Sequence, residues 1–390
     1  DPLRGGKRKV NPQMKISHVE AIILRQETVD ASRADGGQDG LLIRIETEDG
    51  LVGVGEVDSS PEICKAVIDA PASHSITSGL RQLLLGHTLE NPQKTWDYLY
   101  KGSIYAGRRG AGIHALSGID MALWDIFGKA AGKPVSELLG DNPRKEIRTY
   151  ASRLMEKTVE QVKQTVAESK EAGFTALKLG WGPIGESRAQ DLILVQAARE
   201  EAGNEMELML DAGYGYGKNV EDAAYIASAL AELDYKWLEE PFFPDEIDAY
   251  TALTAKKILP IAAGEQNVTR WEFQELARAK ALDIWQPDIA RCGGISEMVK
   301  ISEVAKSCGV RVVPHAWKSG ILKAASLHVN AILPGERIQE WSTADNPLAQ
   351  SLVSTAQPVV DGYALVPKAP GLGVEVDEEV VAKFFVSSSG

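Results

Sequence analysis

The sequence predicts an α/β protein, a TIM-type barrel preceded by a smaller α+β domain. Three observations support this. From about Glu146 onward, strand-like and helix-like segments alternate. Eight strand candidates fall within about 200 residues, the number such a barrel needs. Several of these short apolar runs stop at an acid, most clearly in the stretch Leu208 to Phe243, which opens LMLDAGYGYG and closes YKWLEEPFF. There Leu208-Met209-Leu210 ends at Asp211 and Trp237-Leu238 at Glu239, and LPIAAGEQN ends a third run at Glu265. Acids spaced by roughly 25 to 30 residues suit parallel strands joined by crossover helices.

In chain order, the first strand lies within Lys15 to Arg25, where VEAIIL is mostly apolar. Asp30 to Gly40, rich in Asp, Gly and Ser, reads as a loop. Leu41 to Thr47 alternates, Asp49-Gly50 is a turn signal, and Leu51 to Val57 returns, which predicts a hairpin. A helix follows over about Ala111 to Ala131, with apolar residues at three- and four-residue spacing, and Gly132-Lys133-Pro134 stops it. The barrel strands are expected at Ile147 to Ala151, Ala176 to Leu179, Leu208 to Leu210, Trp237-Leu238, Pro260 to Ala263, Ile284 to Gln286, Val312 to Pro314 and Arg337 to Gln339. Helical patterns such as Thr158 to Ala172 and Val220 to Leu233 lie between them. A doubly wound open sheet is the competing topology, but no Gly-rich phosphate fingerprint joins a first strand to its helix. We place the α+β domain at 14–140, the barrel at 141–365, and at 366–390 a segment that returns to the first domain. The basic start (Asp1 to Gln13) and the SSSG end read as frayed termini and stay outside this prediction.

Composition narrows the partners. With a formal charge of -13 and a pI near 5.1, the chain suits neither nucleic acid nor an anionic membrane surface. No run is apolar enough to span a bilayer, and no signal-peptide pattern is present. Three cysteines without metal-ligand spacing (Cys64, Cys292, Cys308) favour a reducing compartment, so a cytoplasmic location is expected.

In a barrel, reactive groups sit where strands end at the C-terminal face. In order, those ends carry Lys178, Asp211, Glu239, Glu265, Asp288, His315 and Glu340. One strand-end carboxylate is ordinarily a helix cap or a solvated loop residue. Polar groups at seven successive ends form a set, and converging carboxylates make the hard-oxygen site that magnesium prefers. An Asp one strand before a His suits an oriented, more basic imidazole.

The motifs GFTALKLG, LMLDAG, WLEEP, AAGEQ, QPDIARCGG, VVPHAW and IQEW, with AGIHALSGIDMALWDIFGKAAGKPVSELLG before them, resemble the enolase superfamily, and most closely its mandelate racemase subgroup. The resemblance spans nearly the whole chain. It implies a (β/α)7β barrel with an N-terminal capping domain, and Mg2+ held by Asp211, Glu239 and Glu265, with Glu240 the alternative to Glu239. It also implies a His315–Asp288 dyad, and a Glu340 that hydrogen-bonds a substrate carboxylate oxygen. The subgroup's Lys-x-Lys motif is altered to Lys178-Leu179-Gly180. Aligned without a gap, Lys178 matches the first lysine, a carboxylate contact, and Gly180 replaces the basic second. Shifted by two residues, Lys178 becomes the base. The remaining histidines (His18, His74, His87, His114, His328) lie away from strand ends and are read as structural.

The shared chemistry of the family is removal of a proton alpha to a carboxylate. Racemisation needs acid–base groups on both faces of that carbon, and only His315 is clearly placed for the role. Dehydration needs one base and one acid, which a single His supplies in turn. The expectation is therefore dehydration of a sugar acid, aldonate or aldarate, to a 2-keto-3-deoxy acid. A racemase, epimerase or cycloisomerase and a non-catalytic sugar-acid binder are the alternatives. Substrate contacts are expected from Tyr105, Arg108 and Arg109 of the capping domain and from Tyr214, Trp317, Lys318 and Trp341 near strand ends, with Trp181 either walling the pocket or packing under a loop. The family resemblance also suggests a homo-oligomer.

Overall fold

The computed structural model describes residues 14–355 and 358–389; the start assigned above to a frayed terminus lies outside them. In the N-terminal region, strands β1 (Ile16–Arg25), β2 (Asp39–Thr47) and β3 (Val52–Val57) form an antiparallel sheet. The β2–β3 hairpin turns at Asp49-Gly50, where Gly50 takes φ 84° and donates its N–H to Thr47 O at 2.9 Å. The helix Ala111–Ala131 lies across this sheet, closed by Gly132 in the left-handed conformation at φ 64°. Its approach demands glycines on β3. A Cβ on Gly55 would sit 2.0 Å from Gly118 O, and one on Gly53 2.2 Å from Ala122 O. Ile43, Ile45, Leu116, Ile119 and Leu123 fill the space between sheet and helix.

Eight parallel strands follow: β4 (Glu146–Leu154), β5 (Ala176–Gly180), β6 (Glu207–Asp211), β7 (Tyr235–Glu239), β8 (Ile261–Ala263), β9 (Ile284–Trp285), β10 (Arg311–Val312) and β11 (Ile338–Ser342). Each pairs with the next from β4 to β10, and β11 pairs back onto β4. Seven helices from Val159–Glu171 to Gly320–Asn330 alternate with the strands. β9 and β10 end earlier than expected because Pro287 and Pro314 follow closely and offer no N–H to a ladder. A short hairpin, β12 (Val359–Val360) and β13 (Tyr363–Leu365), adds antiparallel to β4.

The chain end corrects the expectation of fraying. Phe385–Ser389 forms β14 beside β1, with Ala21 opposite Ser389 and Ser389 Oγ accepting from Ala21 N at 3.3 Å. Serines carry little strand signal of their own, and here the backbone of β1 supplies the pairing. The two regions also meet through the helix 111–131. Asp120 accepts from Ser296 N at 2.8 Å and Ser296 Oγ at 2.6 Å, and Trp124 Nε1 donates to Ser296 Oγ at 2.9 Å. Among the described residues, no helix is long and apolar enough to cross a membrane.

Candidate active site

The barrel interior changes character along its axis. Tyr150, Ala176, Met209, Trp237, Ala262, Ile284, Val313 and Ile338 form one buried apolar layer. Strand side chains repeat with period two, so the residues two positions on face the same axis. Those are Ser152, Lys178, Asp211, Glu239, Gln286, His315 and Glu340, a polar layer stacked on the apolar one. On β8 the same step reaches Gly264 (φ 134°), and the turn it makes brings in Glu265 one residue later.

Asp211, Glu239 and Glu265 each place a carboxylate oxygen within 4.8 Å of the others, all buried. Glu239 joins this cluster and Glu240 does not, because neighbouring strand residues face opposite sides. Glu240 instead sits at φ 42° with its buried carboxyl toward Tyr214, and burial drives that carboxyl well above the usual range. Glu239 is held by Trp237 Nε1 at 2.9 Å and Gln286 Nε2 at 2.6 Å. Lys178 reaches Glu239 in a very short contact, Glu340 at 2.8 Å and Asp211 at 3.9 Å. Burial disfavours its charge, but those carboxylates prevail and hold the ammonium well above its ordinary range. Three buried carboxylates with hard oxygen donors are a donor set that fits a divalent cation.

His315 Nδ1 lies 2.5 Å from Asp288 Oδ2, while Nε2 faces Glu265 Oε2 at 3.2 Å and Glu340 Oε2 at 3.7 Å. Burial alone would lower this histidine; Glu265, Glu340 and Asp288 outweigh it and bring it up to about 10. Glu340 accepts from Ser152 Oγ at 2.8 Å and Ala316 N at 2.6 Å. Despite its burial, Lys178 and His315 pull it down to about 2. Gly180, one strand step beyond Lys178, has no room for a side chain: a Cβ would lie 2.4 Å from Asp211 Cβ. In the strand register Lys178 stands opposite Ser152 and Met209, and Gly180 opposite Asp211.

Lys178, Asp211, Glu265, His315 and Glu340 line a cavity of about 390 Å³, walled by Trp181 and Trp317 and covered from the N-terminal region by Arg33, Ala34, Asp35 and Gly36. Of the expected substrate contacts, Trp317 reaches the cavity and donates Nε1–H to Asp35 at 3.1 Å. The six others stand elsewhere. Tyr105 is 71% exposed and packs edge-on against His74, and the Arg108 carbonyl accepts from Arg109, which pairs with Glu272 on a barrel helix. Trp341 follows Glu340 on its strand, so it faces outward under Lys323. Tyr214 backs Trp181 edge-on at 5.2 Å without lining the cavity. Lys318 pairs with Asp58 at 3.2 Å in a neighbouring hollow.

Sequence reasoning missed Arg291 and Asp58. Arg291 bridges Glu265 Oε1 (2.9 Å) to Asp58 Oδ2 (2.7 Å), tying the carboxylate cluster to the end of β3. Arg291 stood inside a quoted motif, in QPDIARCGG, whereas Asp58 carried no signal before the two regions were docked.

Two family models match the chain: Mandelate racemase / muconate lactonizing enzyme, N-terminal domain, over 20–140, and Enolase C-terminal domain-like, over 158–380. The chain belongs to the enolase superfamily. Among curated members it is 35% identical over 356 residues to the D-galactarolactone cycloisomerase of Agrobacterium fabrum, covering 88% of this chain and 90% of the relative. It is also 35% identical over 343 residues to the arabinonate dehydratase of Saccharolobus solfataricus, covering 87% and 89%. A solved structure of a predicted mandelate racemase from Rhodobacter sphaeroides superposes with a TM-score of 0.89 at 32% identity, covering 95% of each chain. The superfamily fold, a capping domain followed by a barrel, is therefore that of this chain.

Proposed function

We propose that the protein is a Mg2+-dependent hydro-lyase that dehydrates a sugar acid to a 2-keto-3-deoxy acid. The observation that carries this reading is one-sidedness: His315, backed by Asp288, faces the cavity, while the alternative base position is the bare Gly180. Asp211, Glu239 and Glu265 would hold the metal. Bound there, Mg2+ supplies Lewis-acid stabilisation of developing enediolate charge and offsets the carboxylate field that keeps His315 protonated. His315 Nε2 takes the alpha proton, and its electron pair forms the enediolate. As the pair returns, the C–O bond at the beta carbon breaks, and the hydroxyl leaves as water with the proton from His315. The enol then tautomerises to the 2-keto acid. Asp288 keeps the imidazole oriented, while Lys178 and Glu340 flank the substrate carboxylate. Curated relatives that are named dehydratases, acting on arabinonate, galactonate and rhamnonate, support the reaction class.

Racemisation lacks a base on the second face. Cycloisomerisation shares the proton-transfer step and differs in expelling a ring oxygen, as the name of the A. fabrum relative suggests. A screen of aldonic and aldaric acids and their lactones with Mg2+, reading 2-keto acid, separates these. Keto acid from one or two open-chain stereoisomers, lost on chelation and restored by Mg2+, is the expected result. Deuterium entering the alpha position without keto acid favours the racemase. Neither signal leaves a sugar-acid binder. We place the protein in the cytoplasm as a homo-oligomer; sedimentation of the purified protein tests the assembly.

A further inference from the structure

The cavity is asymmetric in charge. Its floor carries Asp211, Glu265 and Glu340, with Glu239 among them, and it is there that the substrate's reacting carboxylate belongs. Four Lys or Arg side chains line the same cavity. Three are already matched: Lys178 with Glu239 and Glu340, Arg291 with Glu265 and Asp58, and Arg153 with Glu168 at 3.3 Å. The fourth is Arg33, on the exposed capping loop, and among the described residues its guanidinium has no hydrogen bond or ion pair. The exposed Asp30 feels the charge of Arg33, but the nearby carboxylates take their hydrogen bonds from other groups. Asp30 accepts from Ser32 N and Oγ, and Asp35 accepts from Gly37 N at 3.0 Å, Trp317 Nε1 at 3.1 Å and Asn346 Nδ2 at 3.5 Å.

A protein of net charge -13 gains nothing in steering a dianion from its overall field. An unmatched guanidinium at the mouth, across the cavity from the carboxylate floor, is a local remedy, and its planar donors suit a carboxylate. We propose that Arg33 recognises a second, terminal carboxylate, so that the substrates are diacids of the aldarate class. This rests on the dehydratase reading and deepens it. The reaction then forms a 2-keto-3-deoxy diacid and water, with the distal carboxylate unchanged.

The test compares hexaric acids with hexonic acids of the same configuration, across the stereoisomers, on the Mg2+-loaded wild type, Arg33→Ala and Arg33→Lys. In the wild type the best hexarate should exceed its hexonate in kcat/KM by about tenfold or more, the range of a charge-assisted contact. Arg33→Ala should collapse that ratio, chiefly through the KM of the hexarate, and Arg33→Lys should restore part of it. Turnover of hexonates in preference, or a ratio indifferent to Arg33, overturns the inference and keeps the dehydratase. Preference for a hexonate 6-phosphate overturns the carboxylate in favour of a phosphate. Turnover of neither series, with no binding of hexarates by calorimetry, overturns both readings.

Discussion

At the scale of single residues, the site is an exchange of roles among charges that the protein has removed from water. Burial penalises every one of them; for Lys178, His315, Glu265 and Glu340 partners of opposite sign within about 3–4 Å outweigh it, whereas burial and the neighbouring Glu239 hold Asp211 well above the usual carboxylate range. The His315–Asp288 pair shows this most directly, because only Nε2 is left to face the cavity. His315→Asn removes the base while keeping a polar group at the position. It should lower kcat by about 10²–10⁴, the contribution of a positioned general base, and abolish solvent deuterium exchange at the alpha carbon. A variant retaining more than a tenth of wild-type turnover would displace His315 from the mechanism. Asp211, Glu239, Glu265, His315 and Glu340 were legible in the sequence because each follows a short apolar run at a strand end. Arg33 and Asp58 were not, since what brings them to the barrel is the docking of one region on another, and no local pattern encodes that contact.

At the scale of elements, the period of two does most of the positioning. The same alternation that buries Tyr150, Met209, Trp237 and Ile338 as an apolar layer lifts Ser152, Asp211, Glu239 and Glu340 above it. It also explains which predictions strayed. Trp341 was expected at the substrate because it lies near a strand end, but it follows Glu340, and adjacent strand positions face opposite sides. The βα alternation was readable strand by strand, whereas β14 was hidden because Ser387, Ser388 and Ser389 draw their pairing from β1 rather than from any propensity of their own. In the capping sheet, glycine does the work that polar residues do in the barrel. Gly55→Ala forces a methyl into Gly118 O, backbone that cannot swing aside, so sheet and helix must separate. The expected cost is about 1–3 kcal/mol, the scale of an overpacked core, read as a lower urea midpoint at unchanged slope. An unaltered midpoint would mean that the helix 111–131 is free to shift.

At the scale of the whole molecule, His328 joins three distant stretches of chain. It lies fully buried on the helix Gly320–Asn330; Nδ1 accepts from Ser136 N at 3.2 Å and Nε2 donates to Leu372 O at 3.1 Å. An amide N–H cannot accept a proton and a carbonyl cannot donate one, so these two partners select a single neutral tautomer. Protonation would set Nδ1–H against the N–H of Ser136 in a fully buried site. Burial accordingly lowers His328 from 6.5 to about 4, although the Leu372 carbonyl acts the other way. Since the folded value lies below the unfolded one, the unfolded chain binds the proton first. The contribution of His328 is thus complete above pH 6.5, is lost as pH falls from 6.5 toward 4, and changes no further below that. Between pH 6.5 and 5 the loss is about 2 kcal/mol, at roughly 1.4 kcal/mol per unit. His328→Gln cannot titrate. It should be less stable than wild type at pH 7, where it loses the fitted ring, yet fall less steeply in urea titrations carried down to pH 5. Other acid-sensitive groups act on both proteins alike, so the difference between the two slopes isolates this residue. Parallel decline of the two would show that His328 is charged in the fold, and that the junction of barrel, helix 135–139 and C-terminal segment has room for a proton that its hydrogen bonds exclude.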